Sequence, residues 1–231
     1  MIMKRVIASL FFLIFSVLIF AQSGEIKVFD GKVVEGSLYM EKAFMLPQFT
    51  DGKVKLTNGE VFEGKVNIHA LTQSIRFIGD KGDTLALDDD SIVSSVSAGN
   101  YFFIKDKRFY VQILNTDGNV SLGLTRTITL GSEVLEGAYG GKNEVSSIQK
   151  VNVHVSENKL QHIKNGSVLR FDYRENIYLV KDSRLYVPTK KNFVKFFPSK
   201  KDFVEEQFGS GKVSVSKENE LIVLFNQLVS M

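Results

Sequence analysis

The chain has 231 residues, of which 44% are apolar, 24% charged and 11% aromatic, with a formal net charge of +3. That composition excludes an intrinsically disordered chain and a collagen-like fibre. Cysteine is absent, which excludes a disulfide framework and a thiolate metal centre, and the three histidines are dispersed.

The chain begins MIMKRVIASLFFLIFSVLIFA. Lys4 and Arg5 form a short positive region, Val6 to Phe20 is apolar except for Ser9 and Ser16, and Ala21 offers a small residue at the cut. This layout predicts a secretory signal peptide over 1–21, cleaved between Ala21 and Gln22. The rival is an uncleaved anchor, which wants about 20 apolar residues; the run here is roughly 15, which favours cleavage. No cysteine follows the run, so the expectation is an exported periplasmic or extracellular protein that is not a lipoprotein. Removing 1–21 takes Lys4 and Arg5 and no acid, leaving 27 Lys+Arg against 26 Asp+Glu. A near-neutral chain gives no electrostatic reason to bind nucleic acid. No later apolar run is long enough to cross a membrane as a helix.

From Gln22 to Pro188 the pattern is that of strands. Asp/Asn-Gly-x-Val recurs at Asp30-Gly31, Asp51-Gly52, Asn58-Gly59 and Asp117-Gly118, with a further Gly after three of them (Gly36, Gly64, Gly123). Each dipeptide suits the two positive-φ positions of a type I′ hairpin turn, and the valine restarts a strand. The trailing glycines suit a bulge or a close backbone approach. Lys53 to Thr57 then reads as a short strand. Val61 to Ala70 reads as a half-solvated one, with Phe62, Gly64, Val66, Ile68 and Ala70 on one face and Val61, Glu63, Lys65, Asn67 and His69 on the other. Ser74 to Gly79 and Thr84 to Leu87 flank a turn at Asp80 to Asp83. Asp88-Asp89-Asp90 opens a turn before Ile92 to Ser97, and Tyr101 to Lys105 pairs with Arg108 to Leu114 around Asp106-Lys107. Val120 to Leu130 places Leu124, Ile128 and Leu130 opposite Thr125, Thr127 and Thr129; further strands fit Val145 to Val155, Val168 to Tyr173 and Ile177 to Leu179. The expected fold is mainly β, an antiparallel meander forming a sandwich or an open barrel.

After Val187-Pro188 the period becomes helical. Phe193, Phe196 and Phe197 give Lys190 to Phe197 an apolar side, and Pro198 ends it. Ser199 with Asp202 suits the N-terminus of a second helix, and Gly209 its end. Ser216 suits the cap of a last helix, in which Leu221, Leu224, Phe225 and Leu228 lie on one face. Helices this short need something to dock on, so 189–231 is expected to form a cap on the 22–188 β domain. Lys181 to Phe203 carries seven Lys/Arg against two Asp. Lys190, Lys191, Lys195, Lys200 and Lys201 form a candidate basic patch for an anionic partner, against the plainer reading of a solvated helix face.

No cofactor, metal or catalytic motif stands out. His69 and His154 fall on the polar side of alternating strands, and the aspartates from Asp80 to Asp90 lack the order of a calcium loop. A Gly-x-Ser-x-Gly elbow is missing, Gly209-Ser210-Gly211-Lys212 lacks the spacing of a phosphate loop, and Glu205 and Glu206 are adjacent and cannot face each other.

The order of features resembles uncharacterised secreted β-rich proteins of Bacteroidota. The resemblance rests on the signal ending Phe20-Ala21-Gln22, the Asp/Asn-Gly hairpins before Phe62 to Ile68, Gly137 to Gly140, and the "FVKFFPSKKDFVEEQ" and "ELIVLFNQL" tail. It implies location and organisation only. Asp83-Thr84-Leu85 and Asp90-Ser91-Ile92 also look like the O-glycosylation acceptor of such proteins.

The functional expectation is a non-enzymatic envelope module that contacts another envelope protein or a glycan, with Tyr101, Phe102, Phe103 and Tyr110 as candidate contact residues; core packing is the competing fate of these aromatics. The alternative is an envelope hydrolase acting on glycan or peptide through carboxylates that the sequence does not pair. An outer-membrane barrel fits less well, because Glu63, Lys65 and Asn67 occupy outward positions and the chain ends in a helix.

Overall fold

The computed structural model describes residues 22–29, 32–33, 38–87, 89–136, 142–144, 154–156, 159–161 and 168–231. The expected signal segment, the Asp30-Gly31 turn, Gly36, Asp88, Gly137 to Gly140, most of Val145 to Val155 and His162 lie outside the described residues. In chain order the elements are β1 (Gln22–Phe29), β2 (Lys32–Val33), α1 (Leu38–Lys42), β3 (Thr50–Leu56), β4 (Val61–His69), β5 (Ser74–Ile78) and β6 (Thr84–Ala86). A 3-10 turn (Asp90–Ile92) leads to β7 (Val93–Ala98), β8 (Tyr101–Lys105), β9 (Tyr110–Asp117), β10 (Val120–Glu136), β11 (Lys142–Glu144), β12 (His154–Ser156), β13 (Lys159–Gln161), β14 (Val168–Lys181) and β15 (Arg184–Tyr186). The chain finishes with α2 (Lys190–Phe196), α3 (Lys201–Gly209) and α4 (Glu218–Ser230).

The fold is mainly β, and its sheet is antiparallel and open. Strand order is β12-β13-β2-β1-β14-β10-β9-β8-β7-β3-β4-β5-β6, with β11 on β10 and β15 on β14. One apolar cluster joins Val66, Ile68 and Ile75 from one end of this order with Ile26, Leu169 and Phe171 from the other, together with Tyr39 and Ala43 of the α1 region. Strands so far apart in the ladder share a core only if the sheet curls onto that face. Gly24 makes room for the Phe171 ring lying across it: a Cβ there would sit 2.5 Å from that ring.

The curl is bridged by a turn rather than by a ladder. β9 covers β10 only as far as Thr125. Beyond that point the β4–β5 turn takes the exposed edge. The Ile128 N–H donates to the Ala70 carbonyl at 3.2 Å. Gln73 Nε2 donates to the Arg126 carbonyl at 2.8 Å and to the Ala70 carbonyl at 2.7 Å. Gln73 Oε1 accepts from the Tyr110 N–H at 3.1 Å. Gln73 adopts φ 52°, a left-handed conformation that non-glycine residues rarely take.

The long strands β10 and β14 carry two cores on one face. Their register pairs Leu122 with Leu179, Leu124 with Ile177, Arg126 with Glu175, Ile128 with Tyr173 and Leu130 with Phe171. Ile128, Tyr173 and Phe171 belong to the curled-sheet core. Leu122, Leu124, Ile177 and Leu179 pack against Phe193, Phe197, Val204, Leu221, Leu224, Phe225 and Leu228 of the C-terminal helices. The helical cap therefore docks on the far half of the same two strands.

Several expected details change. Asn58-Gly59 and Asp117-Gly118 make turns, but only the glycines take positive φ (Gly59 at 93°, Gly118 at 56°), so neither is the type I′ turn expected. Asp51-Gly52 does not: it lies inside β3, where Gly52 pairs with both Gly64 and Ala98 and a Cβ would meet the Ser97 carbonyl at 2.5 Å. The trailing Gly123 does sit at a bulge against β9. Asn67 and His69, expected on a solvated face, are each 1% exposed, because the chain from Ala43 to Leu46 runs along that edge of β4. Asn67 satisfies the Leu46 backbone there, accepting from its N–H and donating to its carbonyl, both at 3.0 Å. Phe44 packs edge-on against the His69 ring at 5.2 Å. The two strands expected at Val168 to Tyr173 and Ile177 to Leu179 are one, β14, because Glu175 continues the ladder opposite Arg126. In the tail, Thr189 caps α2 and Pro198 ends it, as its fixed ring dictates. Ser199 and Ser216 do not act as caps. A 3-10 turn over Pro198–Lys200 displaces the start of α3 to Lys201, and Glu220 reaches back from α4 to accept from the Ser214 N–H at 2.9 Å.

Candidate functional site

The outer face of the sheet holds the part of the expected contact surface that solvent can reach. Strand alternation separates the four aromatics. Phe103 and Tyr110 point into the core and are fully buried, and Tyr101 is half-buried against it. Phe102 points outward and is 43% exposed. Around it the register builds a face from Lys53, Ser97 and Phe102 in one cross-strand row and Lys55, Ser95, Ile104, Val111, Thr125 and Asn176 in the next. Val111 and Val180 close over Gly123, whose missing side chain makes room for them: a Cβ would lie 2.5 Å from Val111 and 2.8 Å from Val180. Phe102 is thus exposed beside the Ser95 and Ser97 hydroxyls and the lysines Lys53 and Lys55, while Val111 and Thr125, further along the second row, are buried.

The basic residues of the cap divide in the same way. Lys190, Lys191, Lys195 and Lys201 are exposed. Lys195 lies over the Tyr186 and Phe196 rings at 5.8 and 5.5 Å. Lys200 is turned inward, where it donates to Asp117 Oδ2 at 3.2 Å and to the Leu228 carbonyl, tying the end of α4 to the β9–β10 turn. That contact removes Lys200 from the outward-facing patch.

Sequence reading missed two polar clusters. The first surrounds Asp90. Its Oδ1 accepts from the Ile75 N–H at 2.9 Å and from the Tyr110 hydroxyl at 2.6 Å. Burial, reinforced by that bond, pushes the Tyr110 hydroxyl pKa upward. Lys105 lies 4.0 Å from the centre of the Tyr110 ring and donates to the Gln73 carbonyl at 3.1 Å; burial lowers its pKa, and Asp90 and Asp106 oppose that shift. The Asp90 carboxylate of the Asp90-Ser91-Ile92 tripeptide is therefore occupied within the fold, while Ser91 is exposed.

The second cluster sits at the waist between the two cores. Arg126 Nε donates to Glu175 Oε1 at 2.9 Å, its Nη1 donates to Gln112 Oε1 at 2.6 Å, and the Tyr173 hydroxyl donates to the same Glu175 oxygen at 2.7 Å. Glu218, the first residue of α4, approaches this group. Burial raises its pKa first and the Glu175 charge raises it further, while Arg126 lowers it. The waist had a readable signal. Arg126 and Glu175 are each a charge on the apolar parity of a strand, between Leu124 and Ile128 on one side and Tyr173 and Ile177 on the other. Gln73 had none.

Among the described residues no group of three or more His, Cys, Asp or Glu could hold a metal ion, and no helix is long and apolar enough to cross a membrane. Neither a family model, nor a curated protein, nor a solved structure matches the chain.

Proposed function

We propose that this chain is an exported envelope protein, periplasmic or extracellular, that works by contact with another envelope protein or a glycan. The charge pattern and apolar run of residues 1–21 support export. The exposed Phe102 beside Ser97 and Lys53 carries the contact reading, because an exposed aromatic on a sheet strand offers apolar area at little entropic cost. The interior acids and amides also support it, being bonded to the fold itself: Asp90 to Ile75 and Tyr110, Gln73 to Ala70, Tyr110 and Arg126, Glu175 to Arg126 and Tyr173. The test is recovery of the tagged protein on isolated envelope glycan and with envelope proteins, wild type against Phe102→Asp. The proposal expects Phe102→Asp to lose the wild-type partner while melting at the same temperature. Equal recovery of the two would refute the contact surface, and finding the chain in the cytosol with residues 1–21 attached would refute export.

One observation favours the hydrolase reading instead: Glu218, with its raised pKa, lies near Glu175, Arg126 and Tyr173. Hydrolysis of envelope glycan or peptide by wild type, abolished in a Glu218→Gln variant that is no less stable, would replace the contact reading with this one.

A further inference from the structure

At the tip of β14 and β15 the fold gathers cations from three elements. Asp182 and Ser183, at φ 51° and 57°, form the two-residue turn between these strands, with both central residues in the left-handed region of a type I′ hairpin. The tight turn sets Lys181 directly opposite Arg184, a like-charged cross-strand pair that costs stability. Two residues further from the turn, on the same face, Leu179 pairs with Tyr186. Leu179 is buried in the cap core, so Lys181 and Arg184 stand on the cap side of the hairpin. Tyr186 meets the Phe196 ring of α2 edge-on at 4.9 Å. Lys181 Nζ lies 5.3 Å from the centre of the Phe196 ring, and Lys195 Nζ lies 5.5 Å from the same centre. None of the three cations forms an ion pair among the described residues. The acid beside them in sequence, Asp182, is exposed at the tip of the turn.

Contact with the aromatic face returns part of the cost of crowding these charges, and an anionic partner would offset the rest. Between Lys181 and Lys201 the one exposed large apolar side chain is Val187. Adsorption to a membrane draws on buried apolar area as well as charge, and a single valine offers little of it. The exposed neighbours Ser183, Lys190 and Lys191 are polar. We propose that Lys181, Arg184 and Lys195 bind an acidic glycan, a polysaccharide carrying carboxylate or phosphate groups at intervals along its chain. Cations spread over a hairpin and a helix suit repeated charges better than one small ion. The site lies on the opposite face of the sheet from Phe102, and it stands or falls independently of what Phe102 contacts.

The test measures binding of the full chain to polygalacturonate at low ionic strength, with uncharged dextran and anionic phosphatidylglycerol vesicles as the other two probes. The wild type should bind polygalacturonate saturably and leave dextran and the vesicles unbound. Lys181→Gln with Lys195→Gln should weaken binding about tenfold or more. Lys181→Arg with Lys195→Arg, which keeps both charges, should bind as the wild type does. Lys190→Gln with Lys201→Gln, which removes the same charge elsewhere on the cap, should also bind as the wild type does, and all variants should share its melting temperature. Absence of polygalacturonate binding overturns the site. So does equal weakening by the two glutamine pairs, which would reduce the effect to net charge, or binding to the vesicles alone, which would make the patch a lipid contact.

Discussion

The curled sheet and the helical cap pack against the same face of β10 and β14, yet they are held by different means. The cap core is a set of phenylalanines and leucines brought together from neighbouring helices, with Phe193, Val204, Leu224, Phe225 and Leu228 all fully buried. Its polar ties lie at the margin, in Lys200 on Asp117 and in Asn115 on Asn226. The sheet core encloses polar groups, Asn67, His69 and Arg76, and its curl is secured by one glutamine. Local helices can meet through apolar burial alone. A sheet that bends round until its own edge meets a turn leaves backbone groups that only hydrogen bonds can satisfy.

Cavity creation should test this contrast most severely. Phe225→Ala is expected to cost about 3–5 kcal/mol in denaturant unfolding, with helical circular dichroism lost before the strand signal. Loss of both signals in one step would show that the cap and the sheet are not separable in this way.

Acid should act on the sheet and spare the cap. Burial lowers the His69 pKa from 6.5 to about 4. Between those values the unfolded chain binds a proton that the folded chain does not, so stability is fully present above pH 6.5 and falls as the pH drops towards 4. The loss amounts to about 3 kcal/mol. A pH series of melts checks it, and His69→Phe should flatten the curve over that window.

Gln73→Ala should cost about 1–3 kcal/mol, because it removes the side-chain bonds to Ala70, Arg126 and Tyr110 and leaves backbone groups without partners. Glu218→Gln should have the smallest effect, and in the opposite direction. Its raised pKa means that ionisation opposes folding, so the wild type loses stability as the pH rises through the carboxylate range. The glutamine variant should melt slightly higher at pH 7 and equally at pH 3, the difference being muted by solvent because Glu218 is half-exposed.

The same contrast decides what the sequence could reveal. The cap was legible because its information is local: the spacing of Leu221, Leu224, Phe225 and Leu228 and the stop at Pro198 are properties of a few consecutive residues. Strand positions from β4 to β10 were legible for the same reason, through alternation and the Asn58-Gly59 and Asp117-Gly118 turns. Asp51-Gly52 misled because its glycine serves cross-strand packing against Val66 and Ala98, a demand set by partners distant in sequence. His69 misled because alternation assigns a face but not what lies over it; the chain near Phe44 covers it. The candidate contact face was half legible. Parity distinguishes Phe102 from Phe103, but only the register of β3, β7 and β8 shows what stands beside Phe102.

Native-state hydrogen exchange on Gln73→Ala probes the difference between the two regions most directly. The amides of Tyr110 and Ile128 face the bridging turn, and those of Leu224 and Phe225 lie inside the cap helix α4. The account predicts a large loss of protection at Tyr110 and Ile128, with Leu224 and Phe225 exchanging as slowly as in the wild type. Unchanged protection at Tyr110 and Ile128, or an equal loss at all four, would contradict it.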